Sequence, residues 1–314
     1  MKRGFALVVL LVMGSLTMYV AMGIQGPPAG GQGGRGAGAG GQGGRGGPAQ
    51  LQTIKVKDNL YMITGGGGNT GVFITSAGVV LVDTKLANNG QGILDQVKMV
   101  TDKPVSMVIN THTHGDHNGS NEFFTGKVEF VAHENTKANM QKMPAFEGDK
   151  AKFIPSRVYK DSLTIGSGAD QIVLYYFGPA HTNGDSFVVF PAVRTVHTGD
   201  AFASKGLPLV DTNNGGSAVE YGKTLAKAAS TIRNVDTIIN GHITDGPSRF
   251  EDLKTYADFN NEVLAWVQQQ IKAGKTAEDA AKEFQIPAKY TGYAIGGRGA
   301  TGYVNAAYAE LTKK

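Results

Sequence analysis

Three histidines and an aspartate lie within one short segment, His112-Thr-His114-Gly-Asp116-His117, shortly after the apolar run at 105–109. The whole chain of 314 residues contains only seven histidines. Imidazole nitrogens and carboxylate oxygens are the ligands of zinc sites that keep one position open for water. The segment therefore predicts half of a metal site with catalytic chemistry.

Three further residues with ligand chemistry follow apolar, β-like runs: His181, Asp200 and His242. Each has a glycine nearby, and the carboxyl ends of strands present side chains to a cleft in αβ folds. A single histidine in such a place is more often structural than a metal ligand. Three such residues together with the 112–117 segment favour one shared metal site.

These residues, in this order, resemble the motif series of the metallo-β-lactamase-fold superfamily. The early strand Val80-Leu-Val-Asp83-Thr84 also resembles the strand ending in aspartate that marks this fold, and the match spans residues of about 60 to 245. The resemblance implies an α/β protein, an αβ/βα four-layer sandwich with a dinuclear site along one edge. It is specific for the fold and poorly specific for the substrate.

The resemblance also implies a role for each motif residue. The expected ligands are His112, His114 and His181 for one zinc ion, Asp116, His117 and His242 for the second, and Asp200 as the bridge. Asp83 would support the site from beneath without being a ligand. His133 and His197 match no ligand motif, and we expect both to be structural.

Such an arrangement predicts hydrolysis without a serine or cysteine nucleophile. Two divalent ions about 3.5–4 Å apart lower the pKa of a shared water toward neutrality, so that hydroxide can attack a carbonyl, phosphorus or sulfur centre. Asp116 could also orient the nucleophile and shuttle a proton. We expect two zinc ions per chain, although iron or manganese would also suit these ligands.

The residue at position 200 narrows the function. True metallo-β-lactamases carry cysteine or serine there, whereas Asp200 resembles the bridging aspartate of glyoxalase II, lactonases, alkylsulfatases and phosphodiesterase-type nucleases. The leading hypothesis is hydrolysis of a small ester, lactone, thioester or amide. The alternatives are a β-lactam hydrolase, an iron persulfide dioxygenase, a phosphodiesterase and a non-catalytic metal-binding module.

Other segments suggest binding roles with structural alternatives. Residues 200–217 are predicted to line the cleft, where Lys205 either binds a substrate carboxylate or is a solvated loop residue. Phe123 and Phe124 could wall a pocket, but we expect both to pack in the core. The segment 66–71 matches G-x-G-x-x-G, but a strand-like run follows it where a dinucleotide site needs a helix, so it predicts a hairpin loop.

The N-terminal region predicts export. Lys2 and Arg3 precede an apolar run, which indicates a signal peptide or signal anchor at 1–25. A Gly-rich linker at 26–50 and a catalytic domain at 51–314 follow, with a helical extension from about 248. The expected location is periplasmic or extracellular, with membrane attachment only if the leader is retained.

Charge and composition indicate a small-molecule substrate. The net charge is +4, but residues 1–47 hold four basic residues and no acidic one, which leaves 26 basic and 26 acidic residues in the remainder. A neutral folded part gives no reason to expect nucleic acid as a partner. The absence of cysteine excludes disulfides and thiolate ligands.

Alternating strand and helix patterns must position the site. Strands are predicted at 51–57, 60–63, 72–75, 79–82, 105–110, 128–132, 162–165, 171–177, 187–190, 195–197 and 237–239. Helices are predicted at 92–100, around 122, at 134–141, 218–233, 248–272, from 276, and at 302–312. Two roughly repeated halves of this kind favour two packed sheets with helices outside.

Overall fold

The first of two β-sheets contains seven strands that follow one another in chain order. The structure, a computed structural model, describes residues 50–296 and 299–313. The strands are β1 (Gln52–Lys57), β2 (Leu60–Thr64), β3 (Thr70–Ile74), β4 (Val79–Val82), β5 (Val105–Ile109), β6 (Glu129–His133) and β7 (Arg157–Tyr159). Strands β1 to β4 pair antiparallel, and β4 to β7 pair parallel. The carboxyl ends of β4, β5 and β6 therefore lie at the same edge.

The second sheet contains six strands in the order β13-β12-β11-β10-β9-β8. They are β8 (Ser162–Ile165), β9 (Ile172–Tyr175), β10 (Phe187–Phe190), β11 (Thr195–Gly199), β12 (Thr237–Asn240) and β13 (Ser248–Arg249). Only β11 and β12 pair parallel, so these two strands end at the same edge.

Helices cover the outer faces of both sheets. The α-helices of the described residues are α1 (Gly90–Lys98), α2 (Gly115–Asn118), α3 (Glu134–Met140), α4 (Ala218–Thr231), α5 (Glu251–Lys272), α6 (Ala277–Glu283) and α7 (Thr301–Thr312). Helices α1 and α3 pack on the first sheet, and α4, α5 and α7 pack on the second. A third buried cluster lies between the sheets and includes Val82, Ile109, Val131, Leu174, Val188 and Ile239. The predicted αβ/βα sandwich with extra C-terminal helices is confirmed.

The C-terminal helix is joined to the first turn of α4 by a carboxylate. Glu310 in α7 accepts hydrogen bonds from the backbone N–H of Ala218, at 2.7 Å, and from the Ser217 hydroxyl. A helix N-terminus leaves such N–H groups without partners, and its dipole favours a negative charge. This contact helps to hold α7 against the rest of the fold.

The elements predicted from local sequence differ from the structure where contacts with distant parts of the chain determine the conformation. No strand was predicted where β7 lies. Helix α5 begins at Glu251 instead of at the predicted position 248, because Ser248 and Arg249 pair with β12. Phe124 is buried as expected, but Phe123 is 39% exposed, so its prediction as a core residue was wrong. The hairpin loop predicted at 66–71 does connect antiparallel strands, β2 and β3.

No helix within residues 50–296 and 299–313 is both long and apolar enough to cross a bilayer. The signal segment predicted at 1–25, and the linker predicted at 26–50 except for Gln50, lie outside the residues that the structure describes.

Candidate metal centre

The predicted ligands lie where strands of both sheets end. The segment 112–117 follows β5 and includes the start of α2, Asp200 directly follows β11, and His242 lies two residues after β12. His181 lies in the loop between β9 and β10. The sandwich thus brings together side chains that are up to 130 positions apart in the sequence, from 112 to 242.

The seven side chains form two groups that could each hold a metal ion. Within each group, the potential ligand atoms all lie within 4.8 Å of one another. The first group is His112, His114, His181 and Asp200, and the second is Asp116, His117 and His242. Together these are the seven ligands that the family resemblance implied.

Hydrogen bonds on the far side of the rings orient two of the histidines. His114 Nε2 lies 2.7 Å from Asp211 Oδ2, and His181 Nδ1 lies 2.8 Å from the carbonyl oxygen of Leu209. The remaining nitrogens, His114 Nδ1 and His181 Nε2, face each other at 3.0 Å. Acceptors of this kind fix the tautomer of a metal-binding imidazole and its orientation.

His117 and His112, which are both buried, also have an oxygen atom of the protein beside Nδ1. His117 Nδ1 lies 2.7 Å from Asp83 Oδ2, and its Nε2 lies 3.4 Å from His242 Nε2. His112 Nδ1 contacts the Thr111 hydroxyl at 3.0 Å, whereas its Nε2 is buried without a hydrogen-bond partner. A buried polar atom without a partner is costly. A cation at the centre would satisfy it, and the donor set therefore fits metal ions.

The pKa shifts differ among the buried histidines of this centre. Burial lowers the pKa of His112, and it lowers the pKa of His181 to about 4, so both rings are neutral at pH 7. Burial also acts to lower the pKa of His117, but the carboxylates of Asp200 and Asp83 offset it and raise this pKa well above its usual value. Neutral rings such as those of His112 and His181, beside a buried carboxylate such as that of Asp200, are suited to bind a divalent cation.

Hydrogen bonds join Asp83 to the metal-binding segment. Asp83 is fully buried and has a φ of 65°, a backbone conformation that non-glycine residues seldom adopt. Its carboxylate accepts hydrogen bonds from the backbone N–H and the hydroxyl of Thr111, both at 2.7 Å, in addition to its contact with His117. With His112 and His117, Asp83 also forms a third group whose potential ligand atoms lie within 4.8 Å of one another, so its support from beneath stays a prediction.

Lys85 is a buried residue of the site that the sequence did not reveal. Its ammonium group donates to the carbonyl oxygens of Ile63 and Gly68, at 2.8 and 2.9 Å. Gly68 in turn donates its N–H to the carbonyl of Asp116, and a Cβ at Gly68 would lie 2.2 Å from the His117 ring. Lys85 therefore holds the β2–β3 turn against the metal-binding segment.

The loop after Asp200 contains a second residue that the sequence missed. Asp211 lies within the stretch predicted to line the cleft, but nothing in the pattern singled it out as the partner of His114. The local sequence is typical only of a capping residue. The Asp211 side chain accepts hydrogen bonds from the backbone N–H groups of Asn213 and Asn214. Lys205, by contrast, has its Nζ 3.4 Å from Asp252 and lies in a neighbouring groove. This ion pair was not among the alternatives predicted for Lys205, a substrate contact or a solvated loop residue.

The two remaining histidines have structural contacts. His133 contacts the carbonyl oxygen of Lys160 through Nε2 and caps α3 by accepting from the N–H of Asn135. His197 contacts the carbonyl oxygen of Asn69 through Nε2, at 3.1 Å. Neither belongs to a group that could hold a metal among the described residues.

Replacing Asp83 by asparagine should weaken metal binding. The amide is similar in shape, but it has no charge and cannot accept all of the hydrogen bonds from Thr111 and His117. We expect zinc affinity to fall about 10- to 100-fold, measured by competition with a chromophoric chelator. Asp95→Asn, on the exposed face of α1, is the control. Equal affinities for the two variants would contradict the supporting role of Asp83.

Lys85 should make stability depend on pH. Burial lowers its pKa to about 7 from the usual 10.5, and the nearby Asp83 only partly opposes this shift. Between these pH values the unfolded chain binds more protons, so the free energy of unfolding rises with pH, by up to about 1.4 kcal/mol per pH unit. Urea unfolding at equal zinc loading should show this slope in the wild type and in Lys98→Met, an exposed control. If Lys85→Met keeps the slope, Lys85 is not its source.

Comparisons with known proteins agree with this geometry. The model of the metallo-beta-lactamase superfamily matches residues 63–242, which is more than half of the chain. Metallo-beta-lactamase IND-1 of Chryseobacterium indologenes is 24% identical over 197 residues, which cover 60% of this chain and 80% of that protein.

Solved structures show the same fold. The sec-alkylsulfatase Pisa1 from Pseudomonas sp. has a TM-score of 0.67 at 15% identity, and the match covers 83% of this chain and 50% of the alkylsulfatase. This chain therefore spans only half the length of that enzyme. A metallo-beta-lactamase from Pontibacter korlensis has a TM-score of 0.57 at 18% identity, with 67% of this chain and 99% of that chain covered.

The family match includes the end of β2, the 112–117 segment, His181, Asp200 and His242. The chain belongs to the metallo-beta-lactamase superfamily and is a metal-dependent hydrolase.

Proposed function

We propose that this protein is a dinuclear zinc hydrolase that cleaves a small ester, lactone, thioester or amide. The observation that carries the proposal is the convergence of seven side chains, four of them imidazoles whose outer nitrogens contact oxygen atoms of the protein. When bound, a pair of zinc ions supplies a nucleophile at neutral pH and polarises the carbonyl group of the substrate.

The distances support a bridging place for Asp200. Its Oδ1 lies 3.2 Å from His117 Nε2, and its Oδ2 lies 3.3 Å from His242 Nε2 and 3.7 Å from His181 Nε2. This one carboxylate thus reaches both groups of side chains. We propose that His112, His114 and His181 hold one ion, that Asp116, His117 and His242 hold the other, and that Asp200 lies between the two.

Asp116 is the residue best placed to accept a proton from an attacking water. It lines the cleft, and its Oδ2 lies 3.3 Å from His242 Nε2. Burial acts to raise the pKa of Asp116, but the hydrogen bond with His242 offsets it, so the pKa is lowered and the carboxylate stays ionised. An ionised carboxylate there can orient an attacking water and accept its proton.

Charge disfavours a polymeric phosphodiester as substrate. Outside residues 1–47 the chain has equal numbers of basic and acidic residues, 26 of each. Binding to nucleic acid depends on an excess of lysine and arginine along the phosphate backbone. A small molecule remains the better substrate for this site.

The test is hydrolysis by protein loaded with zinc, over a panel of lactones, esters, thioesters, β-lactams, sulfate esters and phosphodiesters. We expect about two zinc ions per chain and turnover of at least one carbonyl substrate. His181→Gln should lose bound zinc and lower kcat/KM by about 10³-fold or more, because Nε2 of His181 faces the centre. His133→Gln, a control at a buried histidine outside the centre, should stay within about threefold of the wild type.

Several results of this panel would contradict the proposal. One bound iron, no zinc and oxidation of a persulfide would make the protein a sulfur-oxidising dioxygenase. Preferential cleavage of β-lactams or of phosphodiesters would assign those classes instead. Equal effects of His181→Gln and His133→Gln would mean that the centre is not catalytic.

We also propose that the protein is exported, with residues 26–50 as a tether to a catalytic domain at 51–314. The support is the sequence of the leader, in which Lys2 and Arg3 precede an apolar run that ends near Ala21 and Gly23. Mass spectrometry of protein recovered from outside the cytoplasm should find a chain shortened by about 23 residues. Full-length protein in the membrane fraction would indicate an anchor, and full-length protein in the cytoplasm would contradict export.

A further inference from the structure

We propose that the β2–β3 turn, residues 65–69, acts together with Lys85 to determine how tightly the second group of side chains holds its metal ion, with much less effect on the ion of the first group. This inference rests on the proposed dinuclear centre and assigns Lys85 and Asn69 as positioning residues for one of its two ions. It is carried by the contacts of the turn, which reach all three members of the second group.

The β2–β3 turn has almost no side chains of its own to fix its shape. Positions 65 to 68 are all glycine, and Gly65, Gly66 and Gly67 have positive φ values of 83°, 66° and 122°. Glycine permits such a backbone path, but it loses more conformational freedom on folding than any other residue. Contacts with other segments must therefore hold the turn in place.

The segment after β4 supplies contacts of this kind. Lys85 is fully buried, and its Nζ donates hydrogen bonds to the carbonyl oxygens of Ile63 and Gly68, at 2.8 and 2.9 Å. Leu86 donates its backbone N–H to the carbonyl oxygen of Gly66 at 3.0 Å. Hydrogen bonds from a charged donor are stronger than those from a neutral one. Lys85 and its neighbour therefore hold the glycine run at both of its ends and in its middle.

Gly68 joins the turn to two members of the second group. Its backbone N–H donates to the carbonyl oxygen of Asp116 at 2.9 Å. Its backbone also lies against the ring of His117, because a Cβ at this position would clash with Cε1 of that ring. A displaced turn would therefore withdraw a contact from each of these two ligands.

Asn69 joins the turn to His242, the third member of the group. Asn69 is fully buried, and its backbone N–H donates to the carbonyl oxygen of Gly241 at 2.7 Å. Its side-chain amide donates to the carbonyl oxygens of Asn240 and Ile243, at 2.9 and 2.6 Å. These bonds fix the backbone on both sides of His242. Because the His242 side chain is itself 37% exposed, its position depends strongly on that backbone.

The first group takes its orienting contacts from other segments. The oxygen atoms beside its three imidazole rings belong to Thr111, Asp211 and Leu209. Thr111 follows β5, and the other two residues lie between β11 and α4. The two groups thus share Asp200, but different parts of the chain hold their histidines. A change in the β2–β3 turn should therefore weaken the second ion far more than the first.

The experiment measures the two zinc affinities by competition with a chromophoric chelator. Anomalous diffraction at the zinc edge, from crystals at several zinc concentrations, shows which group has lost its ion. Asn69→Leu keeps the shape and charge of the side chain but removes its two donors. We expect its affinity for the second ion to fall about 10- to 100-fold, and for the first by about threefold or less. Lys85→Met should show the same selective loss, and Asp211→Asn the opposite one.

Asn260→Leu is the matched control. Asn260 is also a buried asparagine whose amide donates to a backbone carbonyl, that of Tyr256, within α5. This variant should lose stability in urea unfolding and keep the wild-type ratio of the two zinc affinities. A loss of stability by itself therefore does not produce the selective effect. If Lys85→Met does not fold, the comparison of Asn69→Leu with Asn260→Leu decides the question.

The outcomes separate this inference from the proposed function. If the wild type holds two zinc ions but Asn69→Leu weakens both equally or neither, the dinuclear centre stands and the role of the turn is wrong. If the selective loss occurs while no substrate of the panel is cleaved, the role of the turn stands and the proposed hydrolysis is wrong. A wild type that holds a single ion would overturn both.

Discussion

The buried carboxylate of Asp200 is the group on which the arrangement of the site depends. Burial alone raises the pKa of a carboxyl group, yet the pKa of Asp200 is lowered well below its usual value because His117 and His242 surround it. A buried charge is stable only where opposite charge and hydrogen bonds compensate it. The imidazoles around Asp200 meet this requirement, and a divalent ion on each side would meet it more completely.

The imidazoles can compensate the charge of Asp200 only if their rings stay in place. Several parts of the fold hold them there. The edges of two sheets place the ligand segments close together, and oxygen atoms of Thr111, Asp83, Asp211 and Leu209 orient the rings. Beneath them, Asp83 and Lys85 both adopt positive φ values, of 65° and 64°. Strained backbone of this kind persists where the surrounding structure requires it, and it is concentrated at functional sites.

The sequence predicted the parts of this protein that depend on local pattern. Alternating strand and helix signals gave the two-layered sheet architecture, and histidine spacing identified the residues that the structure brings together. What could not be predicted depends on tertiary contacts. Strand β7 and the pairing of Ser248 exist because of neighbouring strands, and the exposure of Phe123 is set by packing. Lys85 has no local signal and Asp211 has only that of a capping residue, because the importance of both comes from the partners that the fold gives them.

The central claim is that the seven side chains hold two metal ions with Asp200 between them. The most direct measurement is anomalous diffraction at the zinc edge from crystals of the protein purified without chelator. The account predicts two peaks about 3.5–4 Å apart, one beside His112, His114 and His181 and the other beside Asp116, His117 and His242, with Asp200 in contact with both. A single peak, an iron signal in its place, or metal held by Asp83 instead of Asp200 would contradict it.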